Sequence, residues 1–352
     1  MEPMCIALIG PPFIEIPPRC YGGTELFIAN LASALHARGH HVTVYGNGES
    51  TPVCPVRWRY ERAEWPPDGS VRSHLKNTDH TAWAIHDAST FADVIHLNDI
   101  VGVPFTRFTS VPAVLTIHHP HEPELTEQYQ RYPEVNYVAI ARWLARTEPM
   151  PRVSVVHHGI AVDRYVFRAA RQKEDYVAFL GRMAPCKGAH LAIEAARRAG
   201  VRLKLAGEVQ PLFQEYWDQQ VRPGIDGDRI QYIGAADFKT KNELLSRARA
   251  LLFPIEWQEP FGLVMIEAMA CGTPVLAFAG GAVDEIVAPG VSGWICADVD
   301  DMARRIRGLD IAPASCRAYV NARFSIAKMA DAYLAVYKRA LVDEHPSERL
   351  EA

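Results

Sequence analysis

The chain of 352 residues has no run of 18 apolar residues, so nothing in it reads as a membrane span. Its seven cysteines, at 5, 20, 54, 186, 271, 296 and 316, are scattered and contain no C-x2-C pair. Odd in number and dispersed, they read as the reduced thiols of a cytosolic protein. Basic charge is not in excess either: the formal net charge is −4, which argues against a nucleic-acid surface. There is no internal repeat and no low-complexity segment. The opening stretch, Met1 to Gly10, is too short and wrongly flanked for a signal peptide. These absences lead to the expectation of a cytoplasmic protein that touches a membrane at most peripherally, from that side. What the chain does have is a 49% hydrophobic composition and enough length for two domains.

Apolar runs recur with helical patterns between them. Strands are predicted at Cys5–Ile9, His41–Tyr45, Val94–Leu97, Ala113–Ile117, Tyr137–Ile140 and Val153–Val156, with a helix at Glu25–Arg38. A second series follows at Tyr176–Leu180, Arg202–Ala206, Ile230–Ile233, Ala250–Pro254 and Val275–Ala279. Strand–helix alternation of this kind implies an α/β chain with two doubly wound parallel sheets. The boundary is expected within the charged stretch Asp163–Asp175, which gives a first domain over 1–165 and a second over 166–324. Residues 50–80 read as an irregular excursion of the first domain, and Ser325–Leu341 as a long amphipathic helix.

The run Glu259-Pro260-Phe261-Gly262-Leu263-Val264-Met265-Ile266-Glu267 carries the most information. A short apolar run precedes it, and strong helix formers ending at Gly272-Thr273-Pro274 follow. A helix opening near Gly262 points free N–H groups and a positive dipole end at the turn, which suits an anion. Two ionised carboxylates are acceptors with several lone pairs and suit hydroxyl groups. Phosphate on the amides and sugar hydroxyls on the acids describe a nucleotide sugar. The competing reading is that each acid merely complements the helix dipole.

Other stretches bear on the same chemistry. In Gly181-Arg182-Met183-Ala184-Pro185-Cys186-Lys187-Gly188, Arg182 and Lys187 are the only cations of a loop after a strand, placed to meet charge developing on a diphosphate. Tyr21-Gly22-Gly23-Thr24-Glu25 opens a helix after the first strand; its alternative is an ordinary turn capped by Thr24. It lacks the third glycine of a dinucleotide fingerprint. His118, His119 and His121 end a strand, but neighbours on an extended segment point apart, so no zinc site is expected. Asp298-Val299-Asp300 matches an Asp-x-Asp metal string yet precedes an evident helix, where acids are caps. Asp226-Gly227-Asp228 reads as a turn.

Glu259 and Glu267, with seven residues between them, resemble the Glu-x7-Glu signature of retaining glycosyltransferases of the GT-B fold, and the whole run resembles family four of those enzymes. The resemblance implies two Rossmann-like domains facing a cleft, the first binding the acceptor and the second the donor. It also implies that the last helix, within 325–352, crosses back onto the first domain. It implies diphosphate binding by Arg182 and Lys187, and a sugar-contacting role for His118, with His119 second. Further, it assigns ribose hydroxyls to Glu267, and sugar and phosphate to Glu259 with the amides of Phe261, Gly262 and Leu263. Gly22 and Gly23 would approach the donor phosphate. His158 stands where the family has Asn and receives no role. The expected activity is retaining, metal-independent transfer of a hexose from a nucleoside diphosphate sugar to an unidentified hydroxyl acceptor, with no cofactor. UDP-glucose is favoured over GDP-mannose on family frequency. A nucleotide-sugar epimerase, a phosphorylase and a non-catalytic nucleotide-sugar binder are the alternatives. The oligomeric state is left open.

Overall fold

The computed structural model describes residues 2–344. The chain forms two units: unit 1 is built from the described residues of Met1–Pro18, Gly22–Gly159 and Ile326–Ala352, and unit 2 from Arg19–Tyr21 and Ile160–Ser325.

Unit 1 contains strands β1 (Cys5–Ile9), β2 (His41–Gly46), β3 (Val56–Trp58), β4 (Val94–Leu97), β5 (Ala113–Ile117), β6 (Asn136–Ala139) and β7 (Val153–Val155). They pair in the order β3-β2-β1-β4-β5-β6-β7, every pair parallel. Unit 2 contains β8 (Tyr176–Leu180), β9 (Arg202–Ala206), β10 (Ile230–Tyr232), β11 (Leu251–Phe253), β12 (Val275–Phe278) and β13 (Gly293–Cys296), ordered β10-β9-β8-β11-β12-β13 and again parallel throughout. Both are doubly wound sheets whose strand order reverses beside the first strand. Helices on both faces explain why β4, β5 and β11 are buried along their whole length and read as unbroken apolar runs.

The core of unit 1 joins Ile6, Leu8, Val94 and Val114 of the sheet to Phe27 and Leu31 of the helix Gly23–His36. Met329, Ala330, Tyr333, Leu334, Tyr337 and Ala340 complete it from the C-terminal helix Ile326–Glu344. Their spacing of three and four residues makes one apolar stripe. The chain thus leaves unit 1 after Gly159, builds unit 2, and returns to finish the first core. Residues 345–352 of the expected crossing segment lie outside the described residues. Unit 2 has its own core, with Val177, Phe179, Ile193, Leu203, Leu205, Leu252, Leu276, Met302 and Ile306.

Two sequence expectations need correction, and one alternative reading falls. Residues 50–80 are not simply irregular: they include edge strand β3 and the opening of a helix, Val71–Ala88, whose N-cap Ser70 accepts from the Ser73 amide at 3.3 Å. With Phe105, Tyr60, Val71 and Leu75 line an open groove of about 740 Å³. The units divide at Gly159–Ile160, ahead of the charged stretch 163–175. That stretch is stitched into unit 2. Asn242 accepts from Val166 N at 2.8 Å and donates to Arg164 O at 3.0 Å, and Lys173 Nζ reaches Ser246 O, Cys271 O and Thr273 Oγ1. Its charges serve packing contacts, so low apolar content did not mark a linker. Thr24 does not cap the first helix; Gly22 occupies the cap position and Thr24 lies in the first turn.

Candidate functional site

In unit 2 the strand order reverses between β8 and β11, and ligands of open α/β sheets bind at the carboxyl ends of strands at such a reversal. The loops that follow these two strands are Gly181–Gly188 and Pro254–Gly262. They bring together Lys187 and Glu259, far apart in sequence: Lys187 Nζ lies 2.5 Å from Glu259 Oε2, with both side chains largely buried. Trp257 Nε1 donates to the same oxygen at 2.9 Å, and its ring lies 4.3 Å from the Lys187 ammonium. One carboxylate oxygen therefore takes two donors, and the other is left for a further hydroxyl. Arg182 sits half-buried in the first loop.

Glycines set these loops. At Gly188 (φ 69°) a Cβ would stand 1.9 Å from Pro254 O, so the first loop packs on the second only without a side chain. At Gly281 (φ 58°) a Cβ would stand 2.2 Å from Glu259 O, an oxygen that accepts from Ala282 N at 2.9 Å. Gly281 thus cradles the Glu259 backbone, and Gly280 that of Trp257, whose carbonyl oxygen a Cβ would approach to 2.6 Å.

Gly262 (φ 81°) is the N-cap of the helix Leu263–Ala270, and no side chain caps that end. First-turn amides of a helix lack internal partners and favour an anion. The Phe261 ring is buried against Phe324, with centroids 6.0 Å apart, so the ring serves packing and only its main chain belongs to this turn. Glu267 lies one helical face inward, 3% exposed, and its Oε1 accepts from Lys241 Nζ at 2.5 Å and Tyr165 OH at 2.9 Å.

In unit 1 the histidines that follow β5 diverge. His118 Nε2 meets Asn98 Oδ1 at 3.0 Å, and Asn98 Nδ2 donates to Ile9 O at 3.1 Å. That amide orientation makes His118 Nε2 the donor and leaves Nδ1 as its lone pair. Burial pushes the His118 pKa down to about 3, with a smaller contribution from His119, so the ring is neutral at pH 7. It stacks on His158 at 5.5 Å and meets Phe27 edge-on at 4.9 Å. His119 turns away, its Nδ1 on Pro120 O at 2.7 Å and its Nε2 on Tyr129 OH at 2.5 Å. His121 pairs with the buried Glu148 at 3.1 Å. Among the described residues no group of three His, Cys, Asp or Glu could hold a metal ion.

Gly22 (φ 148°) has no room for a Cβ, which would stand 2.7 Å from Pro18 Cβ and 2.9 Å from Glu25 Oε2; Gly23 begins the helix and is exposed. Glu25, which the sequence reading passed over, is 5% exposed, and burial raises its pKa to about 7, with Glu15 adding to the rise. Trp257, Lys241 and Tyr165 were passed over as well. Only an acid or aromatic beside an already chosen residue hinted at Glu25 and Trp257; nothing local marks Lys241 or Tyr165. Asp298 caps the helix Val299–Arg307 through Asp301 N at 2.7 Å, and Asp226 holds a turn through the amides of Asp228 and Ile230, each at 2.9 Å.

Two family models match: Glycosyl transferases group 1 over residues 165–321 and Glycosyltransferase Family 4 over residues 21–175. Together they span most of the chain, and it belongs to this family of GT-B glycosyltransferases. Over 223 residues, 56% of this chain and 49% of the relative, it is 35% identical to the D-inositol 3-phosphate glycosyltransferase of Mycolicibacterium paratuberculosis. The match therefore spans about half the length of that relative. A glycogen synthase of Mycobacterium tuberculosis is 26% identical over 88% of this chain and 87% of its own length. Among solved structures, AviGT4, a glycosyltransferase involved in avilamycin A biosynthesis, superposes with a TM-score of 0.72 at 25% identity, covering 97% of this chain and 99% of that one. The sucrose-phosphate synthase of Thermosynechococcus elongatus shares the fold with a TM-score of 0.79 at 21% identity, covering 97% and 100%. No helix among the described residues is long and apolar enough to cross a membrane.

Proposed function

We propose that the chain transfers a hexose from a nucleoside diphosphate sugar to a hydroxyl acceptor, with retention at the sugar carbon and without a metal ion. The observation that carries this reading is the meeting of Lys187 and Glu259 at the strand reversal of unit 2, next to an uncapped helix N-terminus. Lys187 and Arg182 are assigned to the diphosphate, whose charge grows as the glycosidic bond breaks; cations placed there stabilise the transition state more than the ground state. The amides of Gly262 and Leu263, with Phe261, share that task, and Gly22 and Gly23 are assigned to a close backbone approach to phosphate. Glu259 accepts a sugar hydroxyl through the oxygen that Lys187 and Trp257 do not occupy. Glu267 accepts from the ribose, and His118, neutral and with one free ring nitrogen, is assigned to the transferred sugar. Unit 2 is the donor-binding unit in this reading and unit 1 the acceptor-binding unit. UDP-glucose is the favoured donor, in keeping with the Anabaena HepE structure solved with UDP-glucose, which has the same fold. A cytoplasmic site of action is part of the proposal.

The test is a donor panel of UDP- and GDP-sugars, with nucleotide release and product mass followed with and without added hydroxyl acceptors. Release that depends on acceptor, with a product gaining one hexose, supports transfer. Conversion of the donor sugar without nucleotide release replaces it with an epimerase, and binding without turnover replaces it with a sensor.

A further inference from the structure

Glu267 is held more firmly than a carboxylate that only contacts ligand requires. Lys241, from the helix Phe238–Arg247, and Tyr165, from the segment that enters unit 2, both donate to Oε1, at 2.5 and 2.9 Å. The Lys241 side chain is 14% exposed and Tyr165 is 4% exposed, so neither contact is a solvated surface pair. Tyr165 is itself locked. Its ring packs edge-on against Phe238 at 5.4 Å, and its carbonyl accepts from Arg317 Nη1 at 2.8 Å, while the same guanidinium nitrogen reaches Ala270 O, the last residue of the helix that carries Glu267. Burial first, and the Glu267 charge second, push the Tyr165 pKa well up, so its hydroxyl stays a donor at any pH at which the protein works.

The consequence is an asymmetric carboxylate. With Oε1 filled, Oε2 alone faces a ligand, and its direction is set by two rigid neighbours. Lys241 also offsets a buried negative charge that would otherwise oppose a diphosphate in the same unit. A hydroxyl that fails to reach Oε2 leaves a buried acceptor unpaired, and such a deficit is what makes a polar site discriminate strongly.

We infer that Lys241 and Tyr165 are positioning residues that turn Glu267 into a ribose reader, making the pocket selective for ribonucleotides over deoxyribonucleotides. This rests on the donor reading above. The protein is titrated calorimetrically with UDP and GDP, and whichever binds is compared with its 2′-deoxy and 3′-deoxy forms. Wild type prefers the ribonucleotide by roughly ten- to a hundred-fold, the range expected for a hydrogen bond to a charged group. Tyr165→Phe and Lys241→Met each weaken ribonucleotide binding by about five- to ten-fold and leave the deoxy forms within about two-fold, so the preference collapses. Melting curves check that the variants are folded; if Lys241→Met is not, Tyr165→Phe, which keeps the ion pair, decides. An undiminished preference in the folded variants overturns the inference, as does equal affinity of wild type for ribo and deoxy forms, and both leave the donor reading standing. Failure of wild type to bind either diphosphate removes the donor reading, and this inference with it.

Discussion

Units 1 and 2 have the same strand order around their first strand and furnish its surroundings with opposite chemistry. At the reversal of unit 2 the side chains are charged and paired: Lys187 with Glu259, and Lys241 with Glu267. At the ends of β4 and β5 in unit 1 they are imidazoles hydrogen-bonded to uncharged partners, His118 to Asn98 and His119 to Tyr129. A buried ion pair gains little net stability over an apolar pair, because desolvation offsets attraction. The Lys187–Glu259 pair kept at a strand reversal therefore supports the proposed diphosphate ligand, which would exchange partners with it. The neutral His118 ring, with Nδ1 as acceptor, suits a hydroxyl group without bringing a charge to it. The same scaffold thus carries two kinds of side-chain chemistry at its loop tips.

The largest expected effect is on the charged side of that comparison. Lys187→Ala would remove the proposed charge-assisted contact to the leaving diphosphate, worth about 1.5–3 kcal/mol. If the contact strengthens as the bond breaks, turnover at saturating donor falls by roughly ten- to a hundred-fold. Glu267→Ala acts differently: ribose hydroxyls keep their charge during transfer, so its loss raises the donor KM and spares kcat. Lys187→Gln separates the roles of the lysine, since an amide can still donate to Glu259 and steady its buried carboxylate. Steady-state kinetics on the three variants sharpen the comparison. Full turnover in Lys187→Ala breaks it.

A smaller effect is expected in acid, and on the neutral side. Burial lowers the pKa of His80 to about 4 and those of His96 and His118 to about 3, and places His158 well below the usual histidine range. All four belong to unit 1. In the unfolded chain they titrate near about 6.5. A depressed folded pKa means the unfolded chain binds more protons between that value and about 6.5, so the stabilisation is complete above about pH 6.5 and drains as pH falls toward 3. Glu25 works the other way, because its pKa of about 7 makes its burial less costly in acid, but it is one group against four. His96 matters most structurally, bonding Tyr337 OH and Thr116 at 2.7 Å each and so tying the C-terminal helix to the sheet. Hydrogen exchange at pH 7 and pH 4.5 reads the outcome. Protection in β4 and β5 drops more than in β8 and β11, and an equal drop contradicts the assignment of these rings as the acid-sensitive element.

How much of this was open to reading depended on burial and range. Parallel strands covered on both faces, such as Val94–Leu97, announce themselves as apolar runs. Two of the four edge strands do not: Val-Arg-Trp at 56–58 is largely exposed with a charge at its centre, and Gly293–Cys296, though partly buried, is four residues long and opens on a glycine. The helix Val71–Ala88 does not show in the sequence because polar residues, Lys76, His80 and Thr81, occupy half of its buried positions and break the apolar period. Site loops were legible because charge appears abruptly after an apolar run. Partners were not. Lys187 and Glu259 lie 72 positions apart, and Tyr165 and Glu267 lie 102 apart, so their meeting depends on strand order rather than local pattern.

The smallest expected effect concerns the acids at the far edge of unit 2, and there the comparison predicts no response. If Lys187 and Arg182 supply the positive charge, transfer needs no divalent cation and survives excess EDTA. The string Asp298-Val299-Asp300 is the place to challenge this, since spacing alone would make it a metal site. In the structure its carboxylates have separate tasks. Asp298 accepts from Asp301 N at 2.7 Å as the helix cap, and Asp300 pairs with Arg198 at 2.7 Å on an exposed surface. Asp298→Ala should then cost about 1 kcal/mol of stability, typical of a lost cap, and Asp300→Ala less than that. Neither should alter turnover. Asp298→Asn retains an oxygen for the cap and should recover the stability. An EDTA-treated enzyme that loses most of its activity, regains it with Mn²⁺, and fails to do so as Asp298→Asn would make these acids ligands and would move the charge that drives departure of the diphosphate from the Lys187 loop to a metal.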